Sequence, residues 1–91
     1  MPNIEIHGLS NLMARDVRKQ IFDMFAGGLY VDEMVVTIFP TEVTDARGKR
    51  RTFLRLANSY QAHTREIVER LKGLNMDIER IELAEFIPKP G

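Results

Sequence analysis

Two matching segments decide the fold of this chain: Ile4-Glu5-Ile6-His7 near its start and Leu54-Arg55-Leu56-Ala57 fifty residues later. The first alternates apolar and polar side chains, which is the period of a β-strand, and the second belongs to a strand predicted over 53–57. Each is followed by apolar residues at helical spacing among charged ones, and then by another apolar segment. The predicted order of elements is therefore β-α-β-β-α-β.

Residues that begin and end helices delimit the first half. Ser10 or Asn11 can cap the first helix, whose apolar positions are predicted to be Met13, Val17, Gln20, Ile21 and Met24. Gly27-Gly28 ends it, because glycine tolerates the left-handed turn that follows a helix C-terminus. The nearly continuous apolar run 34–39 fits a strand that is covered on both faces.

The second half begins with a polar loop over 41–51 that contains Gly48. Asn58-Ser59 then starts a second helix, which Gly73 and Asn75 end. Its predicted core residues are Ala62, Ile67, Leu71 and Leu74. Ile81, Leu83 and Phe86 are predicted to lie in a fourth strand that Pro88 stops.

The two halves resemble each other in sequence, which indicates an internal duplication. At an offset of fifty, one set of matches is Ile4, Ile6, Asn11, Arg15, Asp16, Val17 and Ile21 with Leu54, Leu56, Gln61, Arg65, Glu66, Ile67 and Leu71. After the helix, at an offset of forty-seven, Val31, Met34, Val36 and Phe39 match Ile78, Ile81, Leu83 and Phe86. The alternative is a coincidence between two amphipathic units. We predict one α+β domain, 1–91, made of β-α-β halves 1–46 and 47–91, whose four-stranded sheet carries two helices on one face.

Strand alternation divides the sheet residues between two faces. The face that the helices can cover carries Ile4, Ile6, Met34, Val36, Ile38, Leu54, Leu56, Ile81 and Leu83. The opposite face carries Glu5, His7, Val35, Thr37, Phe39, Phe53, Arg55, Ala57, Glu82, Ala84 and Phe86. This second face is half apolar and no third helix exists to cover it, so it is expected to form an interface between copies. The alternative is a mixed face that stays partly wet.

Composition excludes several classes of function. Thirteen basic and thirteen acidic residues cancel, so charge gives no reason to expect a nucleic-acid or membrane partner. The absence of cysteine excludes disulfides, a thiol nucleophile and cysteine-bound zinc, and two histidines without ligand spacing make a metal site or other cofactor unexpected. No segment reaches the roughly 20 apolar residues that span a bilayer, and a cytoplasmic protein is expected.

The opening Met1-Pro2-Asn3-Ile4-Glu5-Ile6-His7-Gly8 resembles the start of the tautomerase superfamily, which includes 4-oxalocrotonate tautomerase and macrophage migration inhibitory factor. Segments 32–39, 53–60 and 81–88 resemble its later strands, most closely those of small duplicated members without an established function. The resemblance implies β-α-β units, a trimer, and a proline after the initiator methionine as catalytic residue. Thr52 stands where the repeat would place a second proline, and duplicated members likewise use only the first.

The chemistry that the resemblance implies is isomerisation of a small carbonyl acid. If Met1 is removed, Pro2 becomes a secondary amine that can act as general base near neutral pH. Arg55, or Arg47 and Arg51 of the basic loop, would hold the substrate carboxylate. Arg55 has an alternative role, pairing across the sheet with Glu5 or Glu82, and the loop cations have the alternative of simple solvation.

The main alternative function comes from another class. Ferredoxin-like folds share the order β-α-β-β-α-β and include RNA-binding and ligand-sensing modules. The third strand lacks the aromatic string of an RNA-recognition domain, which leaves a non-enzymatic oligomeric or ligand-sensing module. Strand pairing separates the two folds, since parallel pairing within each half favours the tautomerase fold. His7, His63, Tyr30 and Tyr60 are further candidates, with ordinary hydrogen bonds or rim contacts as their alternatives.

Overall fold

The computed structural model describes residues 2–28, 34–57, 61–74 and 80–83. Its elements are β1 (Asn3–His7), α1 (Asn11–Phe25), β2 (Val35–Phe39), β3 (Phe53–Ala57), α2 (Gln61–Leu71) and β4 (Arg80–Leu83). The predicted order is confirmed. The predictions for Tyr30, Asn58-Ser59, Tyr60, the side chain of Ala62, Asn75, Ala84, Phe86 and Pro88 lie outside the described residues. No helix in the described ranges is long and apolar enough to cross a membrane.

The first helix begins at a serine cap and ends at the predicted glycines. The Ser10 hydroxyl accepts a hydrogen bond from the backbone N–H of Met13, at 3.3 Å. At the other end, Gly28 N–H donates to the carbonyl of Phe25 at 2.9 Å, and Gly27 has a positive φ of 77°.

The apolar stripe of α1 is rotated from the predicted one. Its buried residues are Ala14, Val17, Ile21 and Phe25. Met13, which was predicted to lie on the apolar stripe, is 46% exposed and lies outside the buried stripe. Val17 and Ile21 belong to both the predicted stripe and the observed one. Ala14 and Phe25 complete the observed stripe, which faces the sheet.

The sheet has the strand order β2-β1-β3-β4. β1 pairs parallel with β2 and β3 pairs parallel with β4, whereas the central pair β1 and β3 is antiparallel. Each half therefore pairs its own two strands. In the ferredoxin-like fold the β-α-β unit is split by another strand, so that fold is excluded as the architecture of this chain.

A structural repeat of the two halves is visible in the core and in the central pair. Val17 and Ile67 are both fully buried, and Ile21 and Leu71 are at most 2% exposed. Glu5 lies opposite Arg55 at the middle of the β1–β3 pair, and the register is symmetric about this point. An approximate two-fold axis through this pair relates the two halves.

The second strands match with a different offset from the predicted one. Ile4 pairs with Val36, whereas its counterpart Leu54 pairs with Ile81. The residue equivalent to Val36 is therefore Ile81, and its predicted match with Leu83 was wrong. Side chains repeat every two residues along a strand, so a slip of two leaves the face assignment intact and is invisible in the hydropathy pattern.

Both helices cover one face of the sheet, as predicted. The core combines sheet residues Ile4, Ile6, Leu54 and Leu56 with helix residues Val17, Ile21, Ile67 and Leu71. The prediction that β2 is covered on both faces was wrong for a single chain. β2 is an edge strand whose Val35 and Phe39 are 39% and 37% exposed on the face opposite the helices, which we call the open face.

Candidate functional site

Pro2 lies immediately before β1 and is buried. Its carbonyl oxygen accepts a hydrogen bond from the backbone N–H of Val35 at 2.9 Å. This bond continues the parallel pairing of β1 and β2 by one residue. The position of Pro2 is thus fixed by the sheet rather than by a loop, which suits a residue whose nitrogen must be held in place.

Arg55 occupies the centre of the open face. Its Nη1 lies 3.8 Å from Glu5 Oε1, and its Nη2 lies 3.6 Å from Glu82 Oε1. The predicted pairing across the sheet is confirmed with both carboxylates. The two distances exceed hydrogen-bond length, and the side chain remains 38% exposed. Arg55 therefore balances two negative charges while a further anion can still approach it.

The basic loop is organised around Asp45. One carboxylate oxygen, Oδ1, accepts hydrogen bonds from the backbone N–H groups of Arg47 at 2.8 Å and Lys49 at 3.0 Å. The other, Oδ2, receives the Arg51 guanidinium at 2.9 Å. These donors, the Lys49 N–H foremost, lower the pKa of Asp45 below its ordinary value of 3.8. Arg51 is thus ion-paired, whereas the Arg47 side chain is exposed.

We expect Asp45→Ala to release this loop. Amide hydrogen exchange at Arg47 and Lys49 should accelerate, because both N–H groups lose their acceptor. Glu42→Ala is the control, since it removes only the exposed contact of Glu42 with Arg50 at 3.4 Å. Acid should act like the substitution. The order supplied by the ionised Asp45 is complete above pH 3.8 and is lost as the pH falls through the lower pKa of the folded state. Unchanged exchange in Asp45→Ala would show that the turn forms without the carboxylate.

The predicted site residues are not brought together within one chain. Arg51 lies beside Gly8, at the far end of β1 from Pro2. Six residue-to-residue steps of extended chain lead from Pro2 to Gly8, which is about 20 Å. Arg55 belongs to the open face, whereas Pro2 continues the alternation of Ile4 and Ile6 toward the helix side. Any arginine of the basic loop that serves Pro2 must come from another copy of the chain.

Sequence reasoning missed a row of stacked side chains on the open face. The His7 ring is parallel to the rings of Phe39 and Phe53, with centroids 4.4 Å and 4.6 Å apart. Arg80 places its guanidinium carbon 5.1 Å from the Phe53 centroid on the neighbouring strand. We call Phe39, His7, Phe53 and Arg80 the stacked row; each comes from a different strand. Only the register between strands could have revealed it.

His7 also forms a short side-chain hydrogen bond on the open face. Its Nε2 lies 2.7 Å from Glu5 Oε1, and both side chains are less than one fifth exposed. The prediction of an ordinary hydrogen-bonded histidine is confirmed. His63, the other histidine, is half-buried on α2.

Neither histidine belongs to a ligand cluster within the described ranges. No group of three or more His, Asp or Glu side chains there is arranged to share a metal ion. The candidate features of the described ranges are therefore the buried Pro2, the charged centre of the open face and the stacked row. A scan against protein-family models finds no matching family for this chain, and a search of the curated proteins finds no relative.

Proposed function

We propose that this protein is a tautomerase-like isomerase, in which Pro2 acts as general base on a small carbonyl acid after removal of Met1. The observation that carries the proposal is the pairing of strands. Each half forms its own parallel pair and the halves join antiparallel, with Pro2 buried at the start of the first strand. This arrangement agrees with the family that the first eight residues resemble.

A processed Pro2 is suited to act as a base near neutral pH. A free α-amino group has a pKa of about 7.7–8.0. Part of this group is therefore the neutral amine near neutral pH, which is the form that accepts a proton. The amine takes a proton from the carbon beside the substrate carbonyl, and the electron pair moves onto the carbonyl oxygen as an enolate. Return of the proton to another atom of the conjugated system completes the isomerisation.

Binding of the substrate requires a cation near Pro2. Arg55, Arg47 and Arg51 remain the candidates for the carboxylate. The loop arginines lie about 20 Å from Pro2 in their own chain, so their use requires a neighbouring copy. The half-apolar open face, where Val35 and Phe39 are exposed, favours such an assembly, and we include a homotrimer in the proposal.

The direct test compares the wild-type chain with Pro2→Ala, using phenylpyruvate or a 2-hydroxydienoate as substrate. Intact mass establishes that both proteins have lost Met1. The variant keeps a primary amine without the ring that fixes its position, so we expect kcat/KM to fall about tenfold to a hundredfold. Equal rates, or no rate above buffer for the processed wild type, contradict the proposed activity.

The second candidate is a non-enzymatic oligomeric module. It is favoured by the separation of the arginines from Pro2 and by the ion pairing of Arg51 and Arg55 with carboxylates of their own chain. Such a module would form the same assembly as the proposed isomerase but would not catalyse the isomerisation. A processed oligomer that is inactive toward both substrates would favour this candidate.

A further inference from the structure

The stacked row ends differently at the two edges of the sheet. Its β2 end is the aromatic ring of Phe39, which is 37% exposed. Its β4 end is the Arg80 guanidinium, whose side chain is 58% exposed. Arginine stacks favourably on an aromatic face, so the two ends of the row complement each other.

The neighbouring positions on these edges are also complementary. β2 runs antiparallel to β4, because each is parallel to one member of the antiparallel central pair. A second copy laid beside the first, with its open face on the same side, therefore presents β4 antiparallel to β2. Four successive pairs then match in kind: Phe39 with Arg80, Ile38 with Ile81, Thr37 with Glu82, and Val36 with Leu83.

Each of these pairs has a physical basis. Ile38 with Ile81 and Val36 with Leu83 join apolar side chains on the helix side, where Leu83 is 55% exposed in a single chain. On the open face, Thr37 and Glu82 are both polar, although the Thr37 hydroxyl already donates to Asn3 Oδ1 of its own chain at 3.0 Å. Among the described residues, β2 pairs only with β1 and β4 only with β3, so these two are the outermost strands of the described sheet.

We propose that copies of this chain assemble head to tail, with the β2 edge of one pairing antiparallel to the β4 edge of the next and Phe39 stacking on Arg80 of that copy. The stacked row and the sheet then continue from copy to copy, and a closed ring leaves neither edge exposed. This inference rests on the self-association included in the proposed function. It adds which edges of the sheet pair, the direction in which the paired strands run and their register.

Pairing of like edges fits less well. β4 against itself brings Glu82 onto Glu82 when the register is centred on Glu82, which is unfavourable. When the register is centred on Ile81, β4 sets Arg80 against Glu82, but this dimer leaves Val35 and Phe39 exposed. β2 against itself places Thr37 on Thr37 and covers Phe39, but it leaves Leu83 exposed. These two dimers are therefore the competitors.

Engineered cysteines distinguish these arrangements, since the chain has none of its own. We expect the double variant Thr37→Cys/Glu82→Cys to give a ladder of covalent oligomers with a short bismaleimide, ending at the ring size. Each single variant, Thr37→Cys or Glu82→Cys, should stay monomeric on a denaturing gel. Circular dichroism verifies that all three fold.

The other outcomes separate this inference from the proposed function. A covalent dimer from Thr37→Cys alone identifies the β2–β2 contact, one from Glu82→Cys alone identifies the β4–β4 contact, and either result overturns the head-to-tail arrangement. A double variant that scatters light as an oligomer without cross-linking overturns the edge pairing and leaves self-association standing. A monomer at micromolar concentration overturns both. None of these results depends on the activity of Pro2.

Substitution of the stacked ends gives an independent measurement. Phe39→Ala and Arg80→Ala should each raise the dissociation constant of the assembly about tenfold, and the double variant should add little to either. Leu12→Ala is the matched control, because Leu12 is 81% exposed on α1 and belongs to neither edge. Additive effects of the two substitutions would contradict a contact between Phe39 and Arg80 of the next copy.

Discussion

Inserting a glycine between Met1 and Pro2 is expected to lower kcat/KM toward phenylpyruvate by about 10²–10⁴-fold, the usual contribution of a general base. After removal of Met1, the inserted residue carries the free amine and the nitrogen of Pro2 becomes an amide, which cannot accept a proton at neutral pH. The fold should be unaffected, because the insertion precedes the hydrogen bond from Val35 N–H to the Pro2 carbonyl.

The matched control places the same extra glycine after Gly91, at the other end of the sequence, where Pro2 keeps its free nitrogen. Intact mass must show that Met1 is lost from both proteins, and light scattering must show the same oligomer. Together with Pro2→Ala, the series separates three properties: a free amine of any kind, a free amine at this position, and a secondary amine. Full activity in the chain with glycine before Pro2 would assign the chemistry to another group and return the non-enzymatic module to first place.

The sequence was sufficient for the order of the elements and for the faces of the strands. β3 was predicted with the bounds that the structure shows, and the described strand residues that were assigned to a face lie on it. Alternation along a strand is a local property, as is the pairing of a cap residue such as Ser10 with the start of a helix. Local properties are readable from one sequence.

Properties that depend on how distant segments meet were not readable. The slip that matches Val36 with Ile81 keeps every side chain on its face, so hydropathy carries no trace of it. The separation of Pro2 from Arg51 follows from the antiparallel direction of β3, which brings Arg51 to the end of β1 opposite Pro2. The identities of the candidate site residues do not show in which direction the strands that carry them run. For the same reason the stacked row, which needs the register of four strands, was missed.

Gly8 is the position where a single methyl group should cost the most. It follows β1 directly and has φ of +87°, a conformation that other residues rarely adopt. A β-carbon placed there would overlap the carbonyl oxygen of Arg51 and would lie 3.1 Å from the Arg51 carbonyl carbon and 3.2 Å from the Thr52 α-carbon. All three atoms are backbone at the entry to β3, and backbone cannot rotate away as a side chain can.

We therefore expect Gly8→Ala to lower the free energy of unfolding by about 4 kcal/mol or more, a loss that points to a specific steric cause. Gly27→Ala is the matched control: its φ is +77° and no atom lies within 4 Å of the added carbon, so it should cost about 1–2 kcal/mol from the backbone conformation alone. Urea unfolding at one protein concentration measures both, since assembly would otherwise shift the apparent stability. Equal losses would mean that the segment bearing Arg51 can move away from β1. If it can, Asp45→Ala should loosen the same segment further, because Asp45 Oδ2 pairs with the Arg51 guanidinium at 2.9 Å.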